Sequence, residues 1–325
     1  MHKKRYIPKM SYSQTLKYCD LFVKLFLRKV SQKYKLIEIT MPLVTEANSY
    51  LNNDCSNRKI TFDNNIDYEV YELINNYDNL MRYNFFFADL NNDEILFSRI
   101  KIINRDKKIE PYETLESHFF SFEIFKKEEE RNIETCFNII EMFANWIDQT
   151  CFEINDFGIK HSFKKIKNIH ASKISNLYPL LNDVQSIESY VKEKGLVAVS
   201  FDLKNFNKFF PFKSLISYDA QNTASLFVWC KQIDSLIEIM DVTFRPNSFV
   251  LDSQIKNKNS INKNNEFFNL VESDNVKPTM SIKLYIDKLF FYLLNKQNIT
   301  ELSSYNSRYT LEKDYLLYNL KNEKK

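Results

Sequence analysis

The chain has 325 residues, 44% hydrophobic and 27% charged, with 45 Lys and Arg against 42 Asp and Glu for a net charge of +3. This is a globular balance, long enough to bury a large core without disulfides or metals. Only two glycines occur, Gly158 and Gly195, where average usage would give roughly 23. That excludes a P-loop, a dinucleotide fingerprint and a glycine-rich kinase loop, each of which needs several glycines close together.

In chain order, Leu16, Cys19, Phe22, Phe26 and Val30 recur at three to four residues and predict a helix over 15–30, with Ser13 as its N-cap. A strand at 36–39 stops before Pro42, and 48–57 is an Asn-rich loop. Short strands at 60–62 and 68–71 precede a helix over 73–82. Segments 95–103 and 117–125 read as strands around a charged turn at 106–111. The longest helix is 128–152, striped by Ile133, Cys136, Ile140, Phe143, Ile147 and Cys151. A helix over 184–194 ends at Gly195, and strands follow at 196–201, 225–230 and 236–244. Residues 254–268 form a low-complexity Asn/Lys loop, expected to be mobile, and 284–296 is a final helix before a frayed tail. The fold class expected is α+β: a mainly antiparallel sheet with helices packed on one face, in a single domain over 1–325. With so few glycines, left-handed turns should fall to asparagine.

The five cysteines (Cys19, Cys55, Cys136, Cys151, Cys230) have no CxxC or Cys/His spacing, so they read as core thiols of a reducing compartment and not as a zinc site. No signal core and no run of 18 apolar residues appears, which predicts a cytoplasmic protein with no membrane contact. The net charge argues neither for nor against nucleic acid. His118 lies among strand phenylalanines and reads as structural, while His161 and His170 lack metal spacing. Phe119, Phe120, Phe122 and Phe125 could stack bases, but strand aromatics usually belong to a core. Glu238 and Arg245 are seven apart on one strand, which puts them on opposite faces unless a bulge intervenes.

The order of the segments says more. Tyr6-Ile7-Pro8-Lys9, Leu36 to Leu43 with Pro42, Leu51-Asn52-Asn53-Asp54 with Arg58 to Asp63, Asn104-Arg105-Asp106, residues 117–123 with Glu129-Glu130-Arg131, Leu177-Tyr178-Pro179, Lys192 to Val197, Phe227-Val228-Trp229, Ile237 to Arg245 and Lys288 to Lys296 run in the order of a family's motifs. Over roughly residues 6–305 the chain resembles ammonia-dependent asparagine synthetase (aspartate–ammonia ligase). The resemblance implies a class II aminoacyl-tRNA-synthetase-like fold and a homodimer. In an active member it implies ATP and magnesium as cofactors and an aspartyl-adenylate on the way to asparagine.

Position by position, the scaffold is kept and the chemistry is lost. The family's substrate-binding lysine falls on Asn76, its phosphate-contacting arginine on Asn104 with Arg105 one slip away, and the three polar residues of D-Q-W-D-W on His118, Phe119 and Ser121. Its aspartates fall on Asn53, beside Asp54, and on Ser225. Glycines become Phe201, Leu203, Lys204 and Thr243, and the last motif's arginine becomes Lys288. Glu238 and Arg245 remain, with Lys288 and Arg105, as residual ATP and magnesium positions, Glu238 being the one metal candidate. The first expectation is therefore a catalytically degenerate homologue needing no cofactor, with a binding or regulatory role toward a protein or RNA. The alternative is a divergent working ligase using Glu238 for magnesium, Arg245 for ATP, and Arg105 and Asp54 in place of the lost groups. That alternative needs Arg105 and Arg245 to face one cavity, and it fails sterically if Phe119, Lys283 and Tyr285 fill it.

Overall fold

The computed structural model describes residues 10–47, 49, 52, 58–64, 66, 69–103, 105–106, 109–155, 162–211, 213–254, 266–273 and 276–302, and every structural statement below concerns these. The first helix, α1 (Tyr12–Lys33), is capped by Ser11 and not by Ser13. Gln14 explains the choice: its side chain can close a reciprocal capping box only with the residue three positions before it, and it does so. Tyr18, Phe22, Phe26 and Val30 form its fully buried stripe.

The remaining elements are β1 (Lys35–Glu38), β2 (Val44–Glu46), β3 (Thr61–Asp63), β4 (Val70–Leu73), α2 (Asp78–Phe87), β5 (Glu94–Ile103), β6 (Glu116–Phe125), α3 (Ile133–Glu153), β7 (Lys167–His170), α4 (Ala171–Leu177), α5 (Asp183–Lys194), β8 (Leu196–Ser200), α6 (Leu203–Phe209), β9 (Thr223–Cys230), β10 (Ser235–Phe244), α7 (Ser248–Gln254), α8 (Glu266–Glu272), β11 (Thr279–Leu284) and α9 (Ile286–Leu293). Eight strands form one sheet in the order β1-β5-β6-β11-β10-β9-β8-β7, and β2-β4-β3 form a small second one. Only β1 with β5 and β7 with β8 are parallel, so the large sheet is mainly antiparallel, as expected.

Several boundaries differ from the sequence reading. Helix α2 starts five residues later than predicted, because Val70–Leu73 pairs with both β2 and β3 before the chain turns. Helix α3 starts at Ile133, since Asn132 caps it and Glu128–Glu130 is a separate 3-10 turn. Residues 266–268, read as loop, open α8, and Gln254 closes α7; residues 255–265 and the tail from 303 lie outside the described residues. The largest omission is β11, a central strand between β6 and β10. The sequence reading began a helix at Leu284 and assigned nothing to 279–283, a run that leads directly into α9. Gly195 ends α5 at φ +83°, as predicted, but of the other left-handed residues only Asn295 is asparagine; Asp89, Lys165 and Asp234 hold the rest.

Helices cover both faces of the sheet, not one. On the first face α1, α3 and α9 pack on Phe97, Phe122, Leu226, Val242 and Ile282. On the second face the apolar cover is divided. Helix α2 packs at the β5 end through Leu80, Met81 and Phe85, with Phe119 and Leu96. Helices α4, α5 and α6 pack at the β8 end through Ile174, Ile187 and Phe206, with Val197, Val199 and Phe227. Between these clusters the strands present Ser121 and Glu123, Thr279, Ser281 and Lys283, Asp241 and Thr243, and Thr223 and Ser225. All are buried or nearly so. A sheet covered on both faces would ordinarily be apolar at all these positions, so the polar strip is what requires explanation.

The cysteines match their expectation where described: Cys136, Cys151 and Cys230 are buried, Cys19 is half-buried, and all four are free thiols. Burial pushes the Cys19 thiol up to about 12. Cys55 lies outside the described residues. No helix among the described residues is long and apolar enough to cross a membrane.

Candidate functional site

The strip is organised by a bulge. Opposite β9, Glu238 pairs with Phe227 and Met240 with Leu226, so Ile239 is the extra residue. A bulge shifts the side-chain alternation by one. Glu238 thereby joins Asp241, Thr243 and Arg245 on the strip despite the odd spacing, while Val242 and Phe244 face the α3 side. The Tyr285 N–H donates to the Ile239 carbonyl at 3.0 Å, which ties the start of α9 to the bulge.

Arg245 is 1% exposed and anchors one end of the strip. Its Nε and Nη2 grip the Glu123 carboxylate at 3.0 and 2.8 Å, and its Nη1 donates to Asp78 Oδ1 and to the Ser217 carbonyl, each at 3.0 Å. Glu123 also accepts from Thr279 Oγ1 at 2.6 Å. Asp78 passes the network on: its Oδ2 accepts from Lys283 Nζ at 2.7 Å, and Lys283 donates to Tyr218 Oη at 2.7 Å. The hydroxyls of Tyr218 (3.4 Å) and Tyr285 (2.7 Å) point to the Asp241 carboxylate. At the far end Lys213 Nζ bridges Asp241 Oδ2 at 2.9 Å and Glu238 Oε1 at 2.7 Å, and Ser225 Oγ donates to the same Glu238 oxygen at 2.7 Å. Three cations thus face four carboxylates in one buried chain of contacts.

These contacts set the ionisation of the strip. Burial works against the Asp78 carboxylate, but Lys283 and Arg245 hold it below the usual carboxylate range. Burial likewise opposes the Lys213 charge, yet Asp241 and Glu238 hold the ammonium above its ordinary value. Desolvation and nearby carboxylates, Asp241 foremost, push the Tyr218 and Tyr285 phenols well up, so both stay protonated as donors.

The predicted positions divide into those the strip gathers and those it does not. Glu238, Arg245, Ser225, Phe119 and Ser121 lie on it. The Phe119 ring is 4% exposed and meets Tyr285 edge-on at 6.0 Å, with the Lys283 ammonium 5.7 Å from its centroid. The hydroxyls of Ser121 and Ser281 are buried there without a protein partner. Lys288 lies at the Glu238 end, paired with Glu113 at 2.5 Å; burial opposes its charge, but Glu113 and Glu238 raise its pKa.

His118 does not line the strip. Alternation turns it to the other face of β6, its backbone N–H donates to Asp287, and its ring is half-exposed against Glu116. Asn76 is structural: its Oδ1 accepts from the Asp78 N–H at 2.8 Å and so sets the start of α2. Arg105 is exposed in the β5–β6 turn and donates to the Lys59 carbonyl, whereas Arg245 sits beside Glu123 near the opposite end of β6. The two arginines therefore do not share a site. Asn53, Asp54 and Asn104 lie outside the described residues. Neighbouring Asn52 is buried; its amide holds Glu72 and the Leu73 carbonyl and accepts from the Asn75 N–H, bracing the turn that delivers Asp78.

The sequence reading did not assign a role to Asp78, Lys213 or Tyr218. It named Lys283 and Tyr285 only as residues that could fill a cavity, and Asp241 and Glu123 fall within its quoted segments without a role. One signal was available: Ser121/Glu123, Thr279/Ser281/Lys283 and Asp241/Thr243/Arg245 alternate polar residues within strands that are otherwise apolar.

A magnesium ion at Glu238 would need oxygens free to coordinate at about 2.0–2.1 Å. Both Glu238 Oε1 and Asp241 Oδ2 already accept from Lys213, Ser225 or Tyr285, and among the described residues no group of three or more His, Cys, Asp or Glu is gathered to hold a metal. The strip also carries no excess of positive charge for a polyphosphate. These contacts already occupy the carboxylate oxygens that a magnesium ion at Glu238 would use.

The profile of the aspartate–ammonia ligase family matches residues 14–314. The chain belongs to this family. Solved structures agree on the fold. Asparaginyl-tRNA synthetase from Entamoeba histolytica superposes with a TM-score of 0.66 at 16% identity, over 90% of this chain and 67% of the synthetase. The Pyrococcus horikoshii asparaginyl-tRNA synthetase, complexed with asparaginyl-adenylate, gives 0.68 at 10% identity over 90% and 68%. The chain thus spans about two thirds of these synthetases, and at such identity the likeness shows the class II synthetase fold alone. A search of curated protein sequences finds no match.

Proposed function

We propose that this chain is a non-catalytic member of the aspartate–ammonia ligase family, with a binding or regulatory role. The observation that carries the reading is the network from Glu123 through Arg245, Asp78, Lys283 and Asp241 to Lys213 and Glu238: each of these charges already meets a side chain of the same protein. Catalysis requires donors aimed at charge that develops in the transition state. Donors already saturated in the resting protein would have to give up their partners first.

Burial of a charge network is also not a cheap route to stability, because apolar residues of similar volume commonly do as well or better. The strip therefore reads as an inherited polar site neutralised from within, with Phe119 and Tyr285 taking up space where a substrate would lie. The role proposed is exercised as a homodimer, which the family implies, or toward a protein or RNA. Among the described residues β1 is an edge strand of the large sheet, while the net charge of +3 lends an RNA no support.

The test is formation of AMP from Mg·ATP, dependent on aspartate and ammonia, by the purified chain, with Glu238→Ala as the control for contaminating enzyme. The expected result is no AMP above that of the variant. Asparagine and AMP together, abolished in Glu238→Ala, would overturn the reading in favour of a divergent aspartate–ammonia ligase.

A further inference from the structure

Lys213 belongs to none of the strands that build the strip. It lies in the segment between α6 and β9, and its side chain enters from there. Its ammonium meets one oxygen from each of two carboxylates, Glu238 Oε1 at 2.7 Å and Asp241 Oδ2 at 2.9 Å. Each of those oxygens is also fixed by a hydroxyl, Ser225 on the first and Tyr285 on the second. The Phe210 ring supplies another wall, its centroid 3.8 Å from Nζ. Side chains of Glu238 and Lys213 are each 13% exposed and that of Asp241 is fully buried.

Two carboxylates held this close and this dry repel each other unless a cation lies between them. A compact ammonium meets that need as a point charge, and the facing aromatic ring adds cation–π attraction. We propose that Lys213 is a resident intramolecular cation, occupying the position that the bulged β10 would otherwise offer to a divalent metal ion. The inference rests on the non-catalytic reading of the strip and supplies its cause at this end: the metal position is filled in cis. Because the lysine arrives on a connecting segment, removing it leaves the strand-borne carboxylates and their hydroxyl partners in place.

Manganese is the probe, titrated by electron paramagnetic resonance into the full chain, into Lys213→Ala, into Glu238→Gln and into the two combined, each checked for folding by circular dichroism. Lys213→Ala is expected to bind one manganese ion per chain at least about tenfold more tightly than the parent, and the double variant to lose that gain. A folded Lys213→Ala that binds no more tightly than the parent overturns the inference and leaves the non-catalytic reading intact. Tight binding by the parent itself, weakened by Glu238→Gln, overturns both.

A second measurement needs no variant. Reductive methylation of the native chain, read by peptide mass spectrometry, is expected to label Lys24 and Lys164, whose side chains are 70% and 74% exposed, and to leave Lys213 unmodified. Labelling of Lys213 at a rate similar to theirs contradicts a resident cation.

Discussion

Replacing Arg245 by methionine is expected to destabilise the chain by about 3–5 kcal/mol, the cost of leaving a buried charge without its partner. The substitution strands Glu123, which is fully buried and would keep only Thr279, and it removes one of the two cations on Asp78. Lysine should rescue poorly, because Arg245 uses its planar fork against Glu123 and reaches Asp78 and the Ser217 carbonyl at the same time. Urea unfolding of Arg245→Met, Glu123→Gln and the double variant separates the explanations. The double variant should lose clearly less than the sum of the single losses, since neutralising Glu123 removes the stranded charge. An arginine held ready for a ligand would behave differently. Binding groups are often kept at a cost to the fold, and an unchanged or more stable Arg245→Met would mean that the arginine serves a substrate and not the strip.

Acid should dismantle the same network. The folded-state pKa of Asp78 lies below its unfolded value because Lys283 and Arg245 outweigh its burial. For a depressed carboxylate the stabilisation is present above the unfolded pKa, near 3.9, and is lost as pH falls through the folded value. Stability measured by urea unfolding should therefore fall as pH drops below about 4. In Asp78→Asn, stability at neutral pH should be lower by about 3–5 kcal/mol, because Lys283 and Arg245 lose their shared carboxylate. The same variant should show a shallower decline in acid, since the group that must be protonated is gone. Parallel acid profiles for the parent and Asp78→Asn would contradict the assignment.

Much of the scaffold was legible in the sequence because apolar periodicity depends on few neighbours. The stripe of α3, the Phe22–Phe26–Val30 part of that of α1 and the runs of β5, β6, β9 and β10 are visible without any knowledge of their partners, although Leu16 is exposed and Tyr18 holds the buried place near it. Three features were not legible, each for a physical reason. Strand β11 is buried on both faces and continues directly into an apolar helix, so its period is masked. Helix cover on the second face is divided between α2 and the α4–α6 group, and only the sheet order brings those segments to one side. The bulge at Ile239 inverts the facing of Glu238 relative to Arg245, which counting by twos places on opposite sides.

The site divides in the same way. Phe119, Ser121, Ser225, Glu238 and Arg245 could be matched to the strip by motif order. His118 and Asn76 matched by order as well, but the backbone assigns them elsewhere: alternation turns His118 away, and the Asx turn before α2 employs Asn76. Lys213, Asp78 and Tyr218 come from outside the strands, and their roles depend on three-dimensional closure. Asp78 reaches Arg245 across 167 residues of sequence and Lys283 across 205, separations at which no local pattern carries information.

The central claim is that the charged groups of the strip are satisfied within the protein, without a ligand. Isothermal titration calorimetry of Mg·ATP into the full chain, with and without aspartate, tests it most directly. The account predicts no saturable heat up to about 1 mM nucleotide; saturable binding at about 100 µM or tighter, weakened by Glu238→Gln, would contradict it.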